Sequence, residues 1–329
     1  VQINYAAGYN STYTTFTVVS GALNLVPGDV LLVEKTETTA YTNELVEVTS
    51  VTSDTVFVVA RGRAGSTAAS IPNSAYLTKV GNAYQEGTNS PNVSLRNPTK
   101  KTNFCQIFKT AVGLTRTAMM TRARTGDPWK EDKRRKLFDH SVALEMAFLF
   151  GKPYEDTTGT FPKRYCGGLR HFITTNVTIF ATTPTEDTFL NAVYPVFDYA
   201  SEGAGDERIG FAGNGFLNSL NKLAKNSSSS RINFDKIIDV YGMKLARWVL
   251  PQGVLAVKTH PLMNVHGRYS NSMFIVDPTG LKYRPLKDTM FMDNIQENDA
   301  DLRKGQWLTE CGIEVHHEQT MAYIGNFVV

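Results

Sequence analysis

No apolar run in this chain approaches the roughly 20 residues a helix needs to cross a bilayer. The opening stretch, VQINYAAGYN, has neither the basic nor the apolar segment of a secretory signal. It also lacks an initiator Met, so the chain is expected to have been processed or trimmed there. Cysteine is scarce: Cys105, Cys166 and Cys311 are odd in number, far apart and without a CxxC pair. That excludes a disulfide framework and reads as reduced, mostly buried thiols of a cytosolic protein. Charge of one sign is scarce too. A net charge of +3 excludes a polycation that coats nucleic acid, although local basic patches remain open.

Catalytic signatures are equally thin. There is no GxSxG elbow and no HExxH. The cluster Gly210-Phe211-Ala212-Gly213-Asn214-Gly215 matches neither GxGxxG nor GxxxxGK[ST], and reads as a turn into a helix. His316 and His317 are adjacent on an expected strand, so they would face opposite sides and not chelate one metal. They and His140, His171, His260 and His266 read as structural or surface histidines. No catalytic, cofactor or metal residues emerge, and the chain reads as non-enzymatic.

What the sequence has is a long helix. Asp127 to Gly151, DPWKEDKRRKLFDHSVALEMAFLFG, starts with a capping Asp and a Pro suited to the first helical position. It ends at Gly151, expected to close the helix in the left-handed conformation, with Pro153 barring continuation. The span is about 23 residues or about 35 Å, against a mean of about 11–12 residues. Lys130 to Lys136 is charged throughout, with Glu131–Arg135 and Asp132–Lys136 spaced as i,i+4 pairs. Leu137, Leu144 and Phe148 then share one apolar face, flanked by Phe138, Val142 and Leu149. A helix of this length can brace a flat, extended molecule.

Around it, residues 1 to about 85 read as short strands with turn residues between them, a small barrel or sandwich. In Glu44–Val51, Glu44, Val46 and Val48 alternate onto one face. Gly81 to Thr102 is polar and linker-like. Asn103 to Leu114 reads as a long strand, with Phe104, Phe108, Val112 and Leu114 on one side and Gln106 and Thr110 interrupting it. A weaker helix is expected over Thr115–Arg124, and strand over Leu169–Phe180. A helix starting at Pro184-Thr185-Glu186 should kink at Pro195. Asn214–Lys225 reads as helix before a run of four serines, and the remainder as mostly strand, ending in one long strand over Gly312–Tyr323. The basic cluster Arg122, Arg124, Lys130, Lys133, Arg134, Arg135 and Lys136 reads first as a solvated face. Its functional alternatives are contacts to acidic patches of a neighbouring subunit or to DNA phosphates.

Asn103-Phe104-Cys105-Gln106-Ile107-Phe108, the capped helix ending in Glu145–Gly151, and Gly167-Gly168-Leu169 together resemble the major capsid proteins of tailed double-stranded-DNA bacteriophages. The resemblance is to the subgroup with an NYTQIF-like strand before its long helix, and Phe104 and Cys105 depart from its Tyr-Thr pair. In element order it covers roughly residues 80–329. It implies an α+β chain with the Hong Kong 97-type capsid fold: a peripheral domain with a long spine helix, an axial domain and an extended β-hairpin loop. Carried over by order, 127–151 would be the spine, 86–184 the loop's return strand and peripheral domain, 185–305 the axial domain and 306–329 a return strand. Residues 1–85 would be a small β-module inserted in the extended loop. The implied function is a self-assembling structural subunit, forming hexamers and pentamers of an icosahedral shell around double-stranded DNA. The implied partners are itself, portal, scaffold or decoration proteins and non-specifically bound DNA, with no membrane and no cofactor. Assembly would take place in the host cytoplasm. The alternative is another virion component, a tail or surface protein that binds a receptor or glycan through its N-terminal module.

Overall fold

The computed structural model describes residues 1–34, 43–91, 100–121, 126–201, 205–226, 234–240 and 243–329. The chain divides into two units, Val1–Lys100 and Lys101–Val329. The serine run and Arg122 and Arg124 of the basic cluster lie outside the described residues.

The first unit contains β1 (Thr15–Thr17), β2 (Asp29–Val33), β3 (Glu44–Val51), β4 (Val56–Arg63) and β5 (Leu77–Asn82). They form one antiparallel sheet in the order β1-β4-β3-β2-β5. Alternation builds its core: Leu31 and Val33 of β2, Val46 and Val48 of β3, and Phe57 and Val59 of β4 are buried together with Phe16. Glu44 lies on the same buried face as Val46 and Val48. Its carboxylate accepts from Arg61 Nε and Nη2, both at 2.7 Å, and from the Gly62 and Ala69 amides, both at 3.1 Å. Burial alone would raise its pKa, but the bonds from Arg61, Ala69 and Gly62 and the Arg61 charge hold it below the ordinary value.

The second unit runs β6 (Gln106–Thr115), α1 (Arg116–Met120), α2 (Pro128–Phe150), β7 (Tyr154–Asp156), β8 (Lys163–Tyr165), α3 (Leu169–Phe172), β9 (Val177–Ile179), α4 (Glu186–Val193), β10 (Glu207–Ala212), α5 (Asn214–Asn226), β11 (Phe234–Val240), β12 (Met243–Leu250), β13 (Gly253–Thr259), α6 (Gly267–Ser270), β14 (Met273–Val276), β15 (Leu281–Met292), β16 (Leu302–Val315) and β17 (Ala322–Gly325). Its largest sheet has the order β11-β12-β13-β10-β14-β17-β9, with parallel pairs at β10–β13 and β17–β9. β14, in the interior of this sheet, is covered on both faces: all four residues are buried. Met273 and Ile275 enter one core with Phe189 and Val193 of α4 and Phe216 and Leu220 of α5. Phe274 and Val276 enter another with Leu149 of α2, Leu169 of α3 and Ile313 of β16. A strand that buries both faces carries no polar alternation, as its sequence MFIV shows.

A second sheet, order β15-β16-β6, is antiparallel throughout and carries the longest strands. β15 and β16 were not legible as a hairpin from sequence, because β15 is polar and mostly exposed along its length.

Several local expectations are corrected. Leu169–Phe172 is helical, not strand, because Gly168 opens a turn whose carbonyl accepts from His171 N. The final strand is broken. β16 stops at Val315, His317 takes a left-handed φ of 50°, and a turn over Glu318–Thr320 precedes β17. His316 and His317 therefore do not sit on opposite faces of a strand. The helix from Glu186 ends at Val193 and continues as a 3-10 turn through Pro195, consistent with the missing proline donor.

Candidate assembly surface

α2 is capped as its sequence demands: the Asp127 side chain accepts from the Trp129 amide at 3.0 Å, with Pro128 at the first position. Its other end works differently from expectation. Gly151 has φ −59°, not a left-handed value. The reason for glycine is space, since a Cβ there would lie 2.3 Å from Cys166 O and 2.4 Å from Ala147 O. Gly168 N donates to Gly151 O at 2.9 Å, and a Cβ on Gly168 would lie 2.7 Å from Ala147 O. α2 thus ends against the Cys166–Gly168 segment with no room for side chains.

The same junction uses the polar residues of the strand motif. Asn103 Nδ2 donates to Gly167 O at 3.0 Å and Ile313 O at 2.8 Å, while its Oδ1 accepts from Gly167 N at 2.7 Å. Gln106 Oε1 accepts from Cys166 N at 2.9 Å. Asn103, Gln106, Gly151, Gly167 and Gly168, scattered in sequence, form one joint between helix, strand and loop. The thiols there are quiet: burial pushes Cys166 up, and Cys311 up to about 11, so neither is a ready nucleophile at neutral pH.

At mid-length α2 is fixed to the β15-β16-β6 sheet by a buried histidine. His140 is 1% exposed. Its Nδ1 lies 2.9 Å from Thr110 Oγ1 and its Nε2 lies 2.8 Å from Thr309 Oγ1, which is 2.9 Å from Thr289 Oγ1. One imidazole therefore links the helix to all three strands. Burial depresses its pKa and keeps the ring neutral, with one donor and one acceptor nitrogen for the hydroxyls it meets. The polar interruption at Thr110, visible in the sequence, is where this bond is made.

Near the start of α2 aromatics and cations interleave. Trp129 packs edge-on against Phe291 at 6.3 Å, and Phe291 lies 4.9 Å from Trp307. Arg303 stands 4.5 Å over Trp129, and Lys133 Nζ 3.8 Å over Phe291. Trp307 Nε1 donates to Lys133 O at 3.1 Å. Sequence reading missed this cluster, because its members come from α2, β15 and β16.

The predicted basic residues consequently separate. Lys133 turns onto its own chain's aromatics. Arg134 and Arg135 share Glu131, at 3.6 and 3.2 Å, and Lys136 pairs with Asp139 at 3.4 Å rather than with Asp132. Lys130 is exposed and has no acidic partner among the described residues. Arg134, Arg135 and Lys136 border an open depression with Phe138, which is 68% exposed despite its place in the expected apolar band. α2 buries Trp129, His140 and Leu149 fully and half-buries most of its other residues, while Lys130, Arg134, Arg135, Phe138 and Asp139 stay exposed.

A family model of the SU10 major capsid protein matches residues 8–327. The chain belongs to the SU10 major capsid protein family. It is 26% identical over 223 residues to a major capsid protein of Pseudomonas phage PaMx41, a match covering 65% of this chain and 53% of that protein. The chain thus spans about half the length of the curated relative it matches. Among solved structures, the capsid of a native GTA particle is similar at a TM-score of 0.50 and 10% identity, over 75% of this chain and 80% of that one. A structure titled Mycobacterium phage Patience follows at 0.47 and 8%, over 73% and 76%. The fold is α+β and of the Hong Kong 97 type. The family is one of structural capsid proteins, and the chain is a phage virion component.

Proposed function

We propose that this chain is the shell-forming part of a phage major capsid subunit that assembles into hexamers and pentamers of an icosahedral shell around double-stranded DNA. The observation that carries this reading is α2: a 23-residue helix clamped along its length to a long-stranded sheet, yet fully burying only Trp129, His140 and Leu149. Such an element is rigid in one subunit and leaves Phe138 and the Arg134–Arg135 pair open to the next. In this reading α2 is the spine, 86–184 holds the extended-loop return strand and peripheral domain, 185–305 is the axial domain, and 306–329 returns to the peripheral domain. Residues 1–85 are the β-module inserted in the extended loop. Portal, scaffold and decoration proteins are the expected partners, assembly takes place in the host cytoplasm, and the chain performs no catalysis.

Lys130, Arg134, Arg135 and Lys136 meet acidic residues of a neighbouring subunit or packaged DNA. Sedimentation of protein expressed from its native operon tests the reading. Wild type is expected in fast-sedimenting shells. Phe138→Asp is expected to leave subunit stability within about 0.5 kcal/mol, as for an exposed site, while sharply lowering shell yield. Shells formed normally by Phe138→Asp would refute the contact, and a chain that stays monomeric in every preparation would refute the function.

A further inference from the structure

The first unit carries a surface on which tyrosines and threonines cluster. Tyr5, Tyr9 and Tyr13 line a shallow depression of about 420 Å³ whose remaining wall is threonine alone, including Thr12, Thr14 and Thr15. No ionisable acid or base other than the phenols lines it. Tyr5 stacks on Tyr9 with ring centres 4.8 Å apart and planes within 8°, and Tyr9 stacks in turn on Phe16 at 4.9 Å. Tyr9 is 4% exposed, whereas Tyr5 and Tyr13 are 39% and 46% exposed. One face of Tyr5 is therefore covered by Tyr9, and the ring is left partly open to solvent.

The backbone beneath the depression is well tied. The Tyr9 hydroxyl accepts from Thr17 N at 2.6 Å, and Tyr5 N donates to Asn73 Oδ1 at 3.0 Å. The Asn10–Tyr13 turn is held from beneath: Arg61 Nη1 donates to Asn10 O and Tyr13 O, both at 3.0 Å, while its other nitrogens are fixed by buried Glu44. Asn10 Oδ1 accepts from the Thr12 and Tyr13 amides at 3.0 and 3.2 Å. These bonds hold the backbone around the depression and the buried Tyr9 ring in place, so a ligand would meet a partly pre-formed surface.

We infer that this depression is a carbohydrate-binding site for a neutral saccharide. A pyranose ring presents a C–H face to an aromatic ring and hydroxyls around its rim, and this surface presents exposed aromatic rings bordered by hydroxyls. The lack of charge disfavours the competitors. A nucleic-acid strand needs cations for its phosphates, and the cation that holds the Asn10–Tyr13 turn, Arg61, is buried and committed to Glu44, with its side chain 6% exposed. A sulfated or carboxylated sugar lacks a counter-charge here for the same reason. The site gives the capsid subunit a second role, adhesion to polysaccharide.

The test uses the whole chain on a printed array of neutral hexose and N-acetylhexosamine oligosaccharides, followed by titration of the best binder. Binding is expected, insensitive to added salt. Tyr5→Ala and Tyr13→Ala should each weaken it about tenfold or more. Tyr5→Phe, which keeps the ring, should retain it, and so should Tyr76→Ala, which removes an exposed tyrosine elsewhere on the same unit. Failure to bind any neutral oligosaccharide overturns the inference. So does equal binding by Tyr5→Ala that keeps the wild-type fold, or binding confined to anionic sugars or proline-rich peptides.

Discussion

In the N-terminal unit the buried polar device is a charged pair; in the layer of α2, β6, β15 and β16 it is a neutral histidine. Glu44 and Arg61 sit at the end of an alternating apolar face, and their bonds go to neighbouring strand ends and turns. His140 sits in the middle of a helix, and its bonds reach strands about 30 and 169 residues away. The first device fastens loops to a core that alternation already builds. The second ties a helix to a sheet through hydroxyls on β6 and β16. That difference sets what each should cost to remove.

The largest effect belongs to Glu44→Ala. It strands a guanidinium whose side chain is 6% exposed, and loss of one partner of a buried pair costs about 3–5 kcal/mol. Hydrogen exchange should speed up across residues 1–100 and hold steady across 101–329; an equal response in both units would break the comparison. His140→Leu comes next. It leaves Thr110 short of a partner and Thr309 with Thr289 only, a loss of about 1–3 kcal/mol. Amides of β6 and β16 should report it, with those of the N-terminal unit unchanged.

Acid sharpens the contrast. The folded-state pKa of His140 is depressed by burial below its unfolded value of about 6.5. Its contribution is thus fully present above that pH and is lost as pH falls toward and through the folded value. The pKa of Glu44 is also depressed, from an unfolded value near 4.5. Its contribution survives to lower pH and fades only below that value. Exchange measured against pH should therefore show the β6–β16 layer loosening before the N-terminal unit. The reverse order would contradict both assignments. The smallest effect is expected from Arg134→Gln with Arg135→Gln. Both side chains are well exposed, at 80% and 66%, so subunit stability should change by less than about 1 kcal/mol. Shell strength or genome retention should fall, and if both are unchanged the two arginines merely face water.

The two regions also differ in how far they could be read without coordinates. β3 was legible to the residue, because Glu44, Val46 and Val48 alternate and only one face is buried. α2 was legible at both ends, from Asp127-Pro128 and from Gly151, although Gly151 serves close packing rather than a left-handed turn. The strand motif showed Gln106 and Thr110 as interruptions, and their meaning appeared only when Cys166 and His140 came alongside. The aromatic cluster of Trp129, Phe291 and Trp307 left no periodic trace, since its parts come from three elements. The Gly312–Tyr323 strand failed at His317, a left-handed residue that its type does not announce.

Electron cryomicroscopy of particles made from the native operon tests the central claim most directly. Closed icosahedral shells, with density for this fold in every lattice position and the Arg134–Phe138 face of α2 covered by a neighbouring subunit or DNA, are the predicted result. Only monomers or small open oligomers, with that face bare, would contradict it.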